Sequence, residues 1–264
     1  MELPVPPTPP VNSPPAQRVG PTGLDRIPFG EAHFEDLVRH YAARLRPGPV
    51  WAAGLSDLAD GRAAMLAAQG PVRVTFRCDE EGRTATGTDV LAALIVMEGM
   101  GCAAFGLEAP TPQALEEQLR RLAPYAAIPL LLPGPDWDLP LGNALSDPDV
   151  LPCASEKEAR FITPDVDVGE PLRCTPELLE DILEAEELRP QGALKIAVLD
   201  EDDLLSFADN QYAVRDALCL WSDVPELLER ALRIYQGRAF WDGTGELTPE
   251  FLARMARTYG LILL

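Results

Sequence analysis

The chain has 264 residues, 47% of them hydrophobic, so it is long enough for one large α/β domain or two small ones with a buried core. Its 42 acidic and 22 basic residues give a formal net charge of -20, which argues against nucleic acid or a membrane surface as a partner. Its five scattered cysteines favour free thiols in a cytoplasmic protein, and no run reaches the roughly 20 apolar residues that a membrane-spanning helix needs.

The first half of the chain shows an alternation of helices and strands after a proline-rich start. Residues 1–28 are dense in proline and have almost no apolar periodicity, which predicts an extended or disordered tail. Residues 29–140 begin with the amphipathic helix EAHFEDLVRHYAARLR and contain the apolar strands PVWAAGL, VRVTFRC, CAAFGL and AIPLLLP. Such strands, each next to a helix, predict parallel pairing with both faces of the sheet covered.

The second half repeats this alternation after a break. Residues 141–171 are rich in Pro, Asp and Gly and predict an irregular connection, and residues 172–264 form a second α/β segment. Eight helices and eight strands over both segments predict a TIM-barrel-like (β/α)8 fold, rebuilt or permuted from two half-barrel segments. The alternative is two half barrels, each of which pairs with another chain.

The first segment resembles a known family. VGPTGLDRIPFGEAHFEDLVRHYAARL, SDLADGRAAMLAA, VRVTFRCDEEGRTATGTD and CAAFGLEAPTPQALEEQLRRL occur in the order found in homocysteine S-methyltransferases and methionine synthases. This resemblance covers roughly Val19 to Pro140, the later part of that family's barrel. Residues 172–264, above all ALCLWSDVPELLERALRIYQGRAFWDG, more weakly resemble the pterin-binding barrel of methionine synthases.

The resemblance implies a thiol methyltransferase in which three cysteine thiolates hold zinc and the zinc activates homocysteine. The first of these cysteines corresponds to Ala109, directly after Glu108, and the adjacent cysteine pair of the family has no counterpart in this chain. The acidic residue that holds the substrate amine in the family falls on Ala53, next to Gly54. The resemblance therefore implies a protein without zinc-dependent methyl transfer, with no cofactor and no metal, that retains a small amino-acid or pterin-like ligand.

Polar residues in or just after the predicted strands are candidates for ligand binding, because α/β barrels place their chemistry at the carboxyl rim of the strands. The candidates are Asp57, Thr75, Glu108, Asp136, Asp200, Asp223 and Asp242. If the carboxylates converge, an active enzyme that uses them with a hard cation is an alternative function. Capping of the helices that follow is the competing explanation of the aspartates. A third alternative is a non-catalytic subunit that binds another protein or forms a homo-oligomer.

Overall fold

Two α/β units and a connecting hairpin make up the computed structural model, which describes residues 16–23, 30–132, 141–142, 144–145, 147–188 and 192–264. In the first unit, five parallel strands lie in the spatial order β1-β2-β3-β4-β5 and alternate with four helices along the chain. The elements are β1 (Gln17–Val19), α1 (Glu31–Arg44), β2 (Val50–Leu55), α2 (Leu58–Ala67), β3 (Val72–Arg77), α3 (Val90–Gly99), β4 (Ala104–Glu108), α4 (Pro112–Leu122) and β5 (Leu130–Leu131).

The second unit repeats this pattern of elements. An antiparallel hairpin of β6 and β7 precedes it, and its five parallel strands lie in the order β8-β9-β10-β11-β12. The elements are β6 (Leu151–Ala154), β7 (Ala159–Ile162), β8 (Leu172–Arg173), α5 (Leu178–Leu188), β9 (Ala193–Ala197), α6 (Glu201–Asn210), β10 (Ala217–Trp221), α7 (Pro225–Ile234), β11 (Phe240–Trp241), α8 (Pro249–Tyr259) and β12 (Ile262–Leu263). The predicted α/β class is confirmed. Every helix within the described ranges is too short or too polar to cross a bilayer.

The sequence predicts eight strands, and the structure describes four more, all of them short: β1, β6, β7 and β8. Part of the predicted proline-rich tail is ordered, because β1 pairs in parallel with β2 and buries Val19 in the core. Three residues are too few to show a period, so only the pairing partner reveals this strand. The predicted irregular connection contains the β6–β7 hairpin, whose strands of four residues are likewise too short to stand out among prolines and aspartates.

The described strands do not show the predicted closed eight-stranded barrel. Closure would require an edge strand of one sheet to hydrogen-bond to an edge strand of the other, and in the described ranges the two five-stranded sheets remain separate. Instead, α7 packs against α1, α8 packs against α3, and the hairpin lies between α3 and β10. The second unit thus packs against the helices of the first unit. In an isolated barrel these helices would form the outer layer and face solvent.

The hairpin is the contact layer between the units. Cys153 and Ile162 pack on the second sheet together with Ala217, Cys219 and Phe240. Ala154, which points the other way, belongs to the core of the first unit. Because successive side chains of a strand point to opposite faces, a two-stranded hairpin can fill the space between two layers.

The tip of the hairpin is tied to the loop between β3 and α3. The Lys157 ammonium donates to the Thr86 carbonyl at 2.8 Å, the Asp89 N–H donates to the Lys157 carbonyl at 2.9 Å, and Arg83 forms an ion pair with Glu158 at 2.8 Å. These contacts fix the hairpin at the carboxyl rim of the first sheet.

Arg62 on α2 joins the two units at a buried position. Its side chain is 1% exposed and donates to the carbonyls of Leu232 at 2.6 Å and Arg233 at 3.2 Å, in the last turn of α7. The last carbonyls of a helix lack partners within the helix and carry partial negative charge, so a guanidinium is well suited to them. The Arg62 guanidinium also lies 5.4 Å from the Phe34 ring centre. Burial lowers the pKa of Arg62 to about 10, which leaves it charged at neutral pH.

Replacing this guanidinium tests how strongly the two units depend on it. We expect Arg62→Met to lower the free energy of unfolding by about 3 kcal/mol, because it leaves two buried carbonyls without donors. Arg39→Met is the matched control: Arg39 forms an exposed ion pair with Asp36 on α1, and its loss should cost no more than about 0.5 kcal/mol. Urea unfolding of both variants measures the difference, and equal effects would contradict the role given to Arg62.

Candidate functional site

An open cleft lies on the face of the first sheet that is opposite its helices. The strand residues that point toward α1–α4 are apolar and form the core, among them Val50, Val74, Phe76 and Phe105. Alternate residues such as Trp51, Arg73 and Thr75 point the other way and, together with Leu107 and with Leu115 of α4, line a cavity of about 500 Å³, which we call the first cleft. Its lining residues are Arg18, Trp51, Arg73, Thr75, Gly106, Leu107, Glu108, Leu115, Leu130, Leu131 and Leu132. A volume of this size suits a small-molecule ligand.

The strand register arranges these side chains in rows across the sheet. Nearest the amino ends of the strands, Arg18 lies opposite Trp51, and Trp51 lies opposite Arg73. In the next row, Thr75 pairs with Gly106, and Gly106 pairs with Leu131. At the carboxyl end, Arg77 pairs with Glu108. The small middle row makes a depression between two rows of long, charged side chains.

At the carboxyl end, an ion pair crosses from β3 to β4. Arg77 Nε lies 3.0 Å from Glu108 Oε2, and both side chains are partly open to solvent. The Arg77 guanidinium lies over Gly54, where an added Cβ would come within 3.0 Å of its terminal nitrogen. Gly54 has a φ of 69° and lies at a register irregularity of β2, so glycine is needed here for the backbone as well as for the space.

At the floor of the cleft, the Trp51 indole is fixed in place. Its Nε1–H donates to the Thr75 hydroxyl at 2.8 Å, and Thr75 is 5% exposed. The Arg18 guanidinium lies 4.9 Å from the centre of the Trp51 ring, a cation–π contact. Thr75 therefore orients an aromatic side chain in the first cleft.

A second cleft, of about 550 Å³, lies on the second sheet at the carboxyl ends of its strands. Lys195 crosses its floor and binds Asp242 at 2.6 Å and Thr244 Oγ1 at 2.9 Å. The Lys195 ammonium also lies 5.5 Å from the Trp221 ring centre, and Asp223 forms part of the wall. Burial alone would raise the pKa of Asp242, but the hydrogen bonds from Lys195 and Thr244 together with the Lys195 charge lower it overall.

The sequence-predicted site residues lie in different parts of the structure. Thr75 and Glu108 lie in the first cleft, Asp223 lines the second cleft, and Asp242 pairs with Lys195 there. Asp57 and Asp200 cap helices: Asp57 accepts from the Asp60 N–H at 2.7 Å, and Asp200 accepts from the Asp203 N–H at 2.9 Å. Asp136 lies outside the described residues. The described candidates therefore do not line one common mouth.

The cysteines do not fit the zinc site that the family resemblance implies. All five are buried free thiols at separate places in the fold: Cys153 lies on β6 and Cys219 on β10, Cys78 and Cys174 directly follow β3 and β8, and Cys102 precedes β4. Burial raises the pKa of each thiol, to about 11 for Cys78 and Cys102 and to about 12 for the other three. Over the described ranges, no group of three or more His, Cys, Asp or Glu side chains is placed to hold a metal ion.

Sequence reasoning missed the cationic and aromatic residues of both clefts, namely Arg18, Trp51, Arg73, Arg77, Lys195 and Trp221. The signal was present in VRVTFR, where Arg73, Thr75 and Arg77 alternate with apolar residues. Alternation of this kind is typical of a strand with one open face, not of a strand that is covered on both sides.

Comparisons with known proteins do not place the chain in a family. No family model matches the sequence, and no curated protein matches it significantly.

The Lys195–Asp242 pair predicts a specific dependence of stability on pH. Because the pKa of Asp242 is lower in the folded state than in the unfolded chain, its ionisation stabilises the fold above the unfolded pKa of about 4. This stabilisation is lost as the pH falls through the folded pKa. We therefore expect Asp242→Asn to be less stable than wild type at pH 7, with a difference that shrinks below pH 4. Urea unfolding at several pH values, with the exposed Asp36→Asn as control, measures this, and a gap that stays constant with pH would contradict it.

Proposed function

We propose that this chain is a homocysteine S-methyltransferase-like protein of the methionine synthase lineage that binds a small amino acid in the first cleft and lacks zinc-dependent methyl transfer. The order of the resembling segments supports this, because SDLADGRAAMLAA contains α2, VRVTFRC contains β3, and CAAFGLEAPTPQALEEQLRRL spans β4 and α4. Each segment thus coincides with a complete element in the first unit.

We further propose that each of the two units is half of a TIM-barrel-like fold. All strands of a unit are parallel and neighbour each other in chain order, as consecutive strands of an α/β barrel do. A doubly wound sheet would instead reverse its strand order at one point. The second cleft and the Arg77–Glu108 end of the first cleft lie at the carboxyl ends of their strands, which agrees with the place where such folds bind ligands.

The observation that carries the proposal is the Arg77–Glu108 pair at the rim of the first cleft. Its two opposite charges, 3.0 Å apart, are complementary to the zwitterionic head of an α-amino acid. Glu108 would accept from the ligand's ammonium, and Arg77 would donate to its carboxylate. The depression above Gly106, next to Leu131, would take an apolar side chain.

With the Arg77–Glu108 pair, the proposed site can still bind the ligand's amine although the family's amine-binding acidic residue is absent. Ala53 stands at the position of the family's amine-binding acid. The neighbouring Gly54 has no side chain and therefore leaves room for the Arg77 guanidinium. Ala109 follows Glu108 at the position of the first zinc cysteine, so the site offers charge complementarity and no thiolate. A pterin-like ligand stays an expectation for the second cleft, where Trp221 provides an aromatic side chain.

The alternative of a hard cation held by the rim carboxylates receives less support. Three of these carboxylates already have partners within the protein: Asp57 and Asp200 cap helices, and Asp242 pairs with Lys195. A cation would have to displace these contacts and then draw together groups from two separate clefts.

Calorimetric titration with L-methionine tests the proposed ligand class. We expect saturable binding that weakens by about tenfold or more in Glu108→Gln, because a charge-assisted contact to the ligand's ammonium is lost. Glu116→Gln is the matched control, since Glu116 forms a similar exposed ion pair with Arg120 on α4, outside the cleft. N-acetyl-L-methionine, which has no ammonium, should bind weakly to wild type and to both variants.

Two results would contradict the proposal. One is L-methionine binding of equal strength in wild type and in Glu108→Gln. The other is production of methionine from homocysteine, zinc and a sulfonium methyl donor at a rate that rises with the amount of the chain, since this would mean that the thiolate chemistry is retained.

A second candidate function, as a subunit that binds another chain, is favoured by the open sheets. The edge strands β1, β5, β8 and β12 each have a described strand partner on one side only. Unpaired edges favour pairing with another polypeptide. Light scattering coupled to size exclusion should then give a mass above 28.7 kDa for the purified chain, or a rise in mass on addition of a partner from the same source. A monomer that melts cooperatively and takes up no partner would contradict this candidate.

A further inference from the structure

The row formed by Arg18, Trp51 and Arg73 has an unusual composition for its place in the fold. These residues occupy neighbouring positions on β1, β2 and β3, one residue in from the amino end of each strand. In a closed α/β barrel, the layer inside the strands is packed with branched apolar side chains. Here the layer contains two exposed arginines on either side of a tryptophan.

Neither of the two guanidiniums is engaged by a carboxylate among the described residues. Within the described ranges, the Arg18 guanidinium contacts only the Trp51 ring, and the Arg73 side chain makes no ion pair or hydrogen bond. By comparison, Arg77 on the same face is paired with Glu108, and Arg121 on α4 is paired with Asp89. Two uncompensated cations on one open face stand out in a chain with a net charge of -20.

The geometry of the row suits an anion between the two arginines. Adjacent strands are about 4.8 Å apart, so the backbones of Arg18 and Arg73 are separated by about 10 Å across β2. Both side chains are long enough to reach one group above Trp51. A guanidinium donates two parallel hydrogen bonds to a carboxylate or a phosphate, and two guanidiniums therefore match a group with at least two negative charges.

The row is also held in position before any ligand binds. The hydrogen bond from Trp51 to Thr75 fixes the indole, and the indole in turn supports Arg18. Such preorganisation reduces the entropy that a ligand must offset on binding. The cavity of about 500 Å³ and its leucine walls fit a small organic anion.

We infer that Arg18 and Arg73 form an anion-binding site, with Trp51 as its floor, for a small organic anion that carries two or more negative charges. This site lies at the amino end of the first cleft and does not depend on the amino acid proposed for the Arg77–Glu108 end. Phosphate and carboxylate groups share the required chemistry, and the experiment distinguishes them.

Titration calorimetry of the full chain at low ionic strength, with inorganic pyrophosphate in one arm and citrate in the other, tests this site. We expect saturable binding of at least one anion, and a loss of affinity of about tenfold or more in Arg18→Gln and in Arg73→Gln. Arg73→Lys should fall between wild type and Arg73→Gln, because a lysine retains the charge without the paired donors. The arm that binds more tightly identifies the ligand's anionic group.

The control for charge alone is Arg120→Gln on α4, which removes an exposed arginine outside the cleft and should leave binding unchanged. Because Arg18 and Arg73 are exposed, the thermal unfolding of their variants should match that of wild type, so loss of binding will not reflect loss of the fold. Failure of wild type to bind either anion, or equal affinity in wild type and Arg73→Gln, would overturn the inference. L-methionine binding that persists in Arg73→Gln would show that the amino-acid site is separate.

Discussion

The buried guanidinium of Arg62 is the contact on which the arrangement of the two units depends. It lies on α2 of the first unit and donates to the end of α7 in the second unit. A charge at this depth needs hydrogen-bond partners, and the two acceptors of the Arg62 guanidinium both come from the other unit, while its Nε has no partner among the described residues. Arg230 on α7 also binds Glu31 on α1 at 2.8 Å, and an added Cβ at Gly260 would come within 2.8 Å of the Gly99 backbone. The units are therefore matched by geometry as well as by apolar contact.

This mode of packing explains why the first cleft stays open. The second unit covers the helices of the first unit, so it does not reach the opposite face of the first sheet. That face retains charged and aromatic residues, of which Glu108 is the one that the sequence singled out. The two clefts consequently belong to different sheets, each with its own charges and its own tryptophan, Trp51 in the first and Trp221 in the second.

Local sequence patterns suffice to predict the α/β class, the eight helices, eight of the twelve described strands and most of the helix starts. Periodicity, capping residues such as Asp57 and Thr111, and prolines in the first turn act over a few residues, so they can be read locally. The family resemblance singled out Glu108 and Ala109, which lie at the end of β4 and directly after it. The short strands β1 and β8 and the β6–β7 hairpin were not predicted, because their stability comes from partners outside their own few residues.

Whether the sheets close, and which side chains meet, depends on contacts between residues that are distant in the chain. Equal predicted numbers of helices and strands do not indicate which strand edges pair. The sequence feature that argues against a closed barrel is α3, which is apolar around its circumference and buried from Ala92 to Met97. A helix on the outside of a barrel would have a polar face, so α3 must be covered twice. The Arg77–Glu108 pair and the Arg18–Trp51–Arg73 row arise from strand register, because register brings together residues that lie 22 to 33 positions apart in the chain.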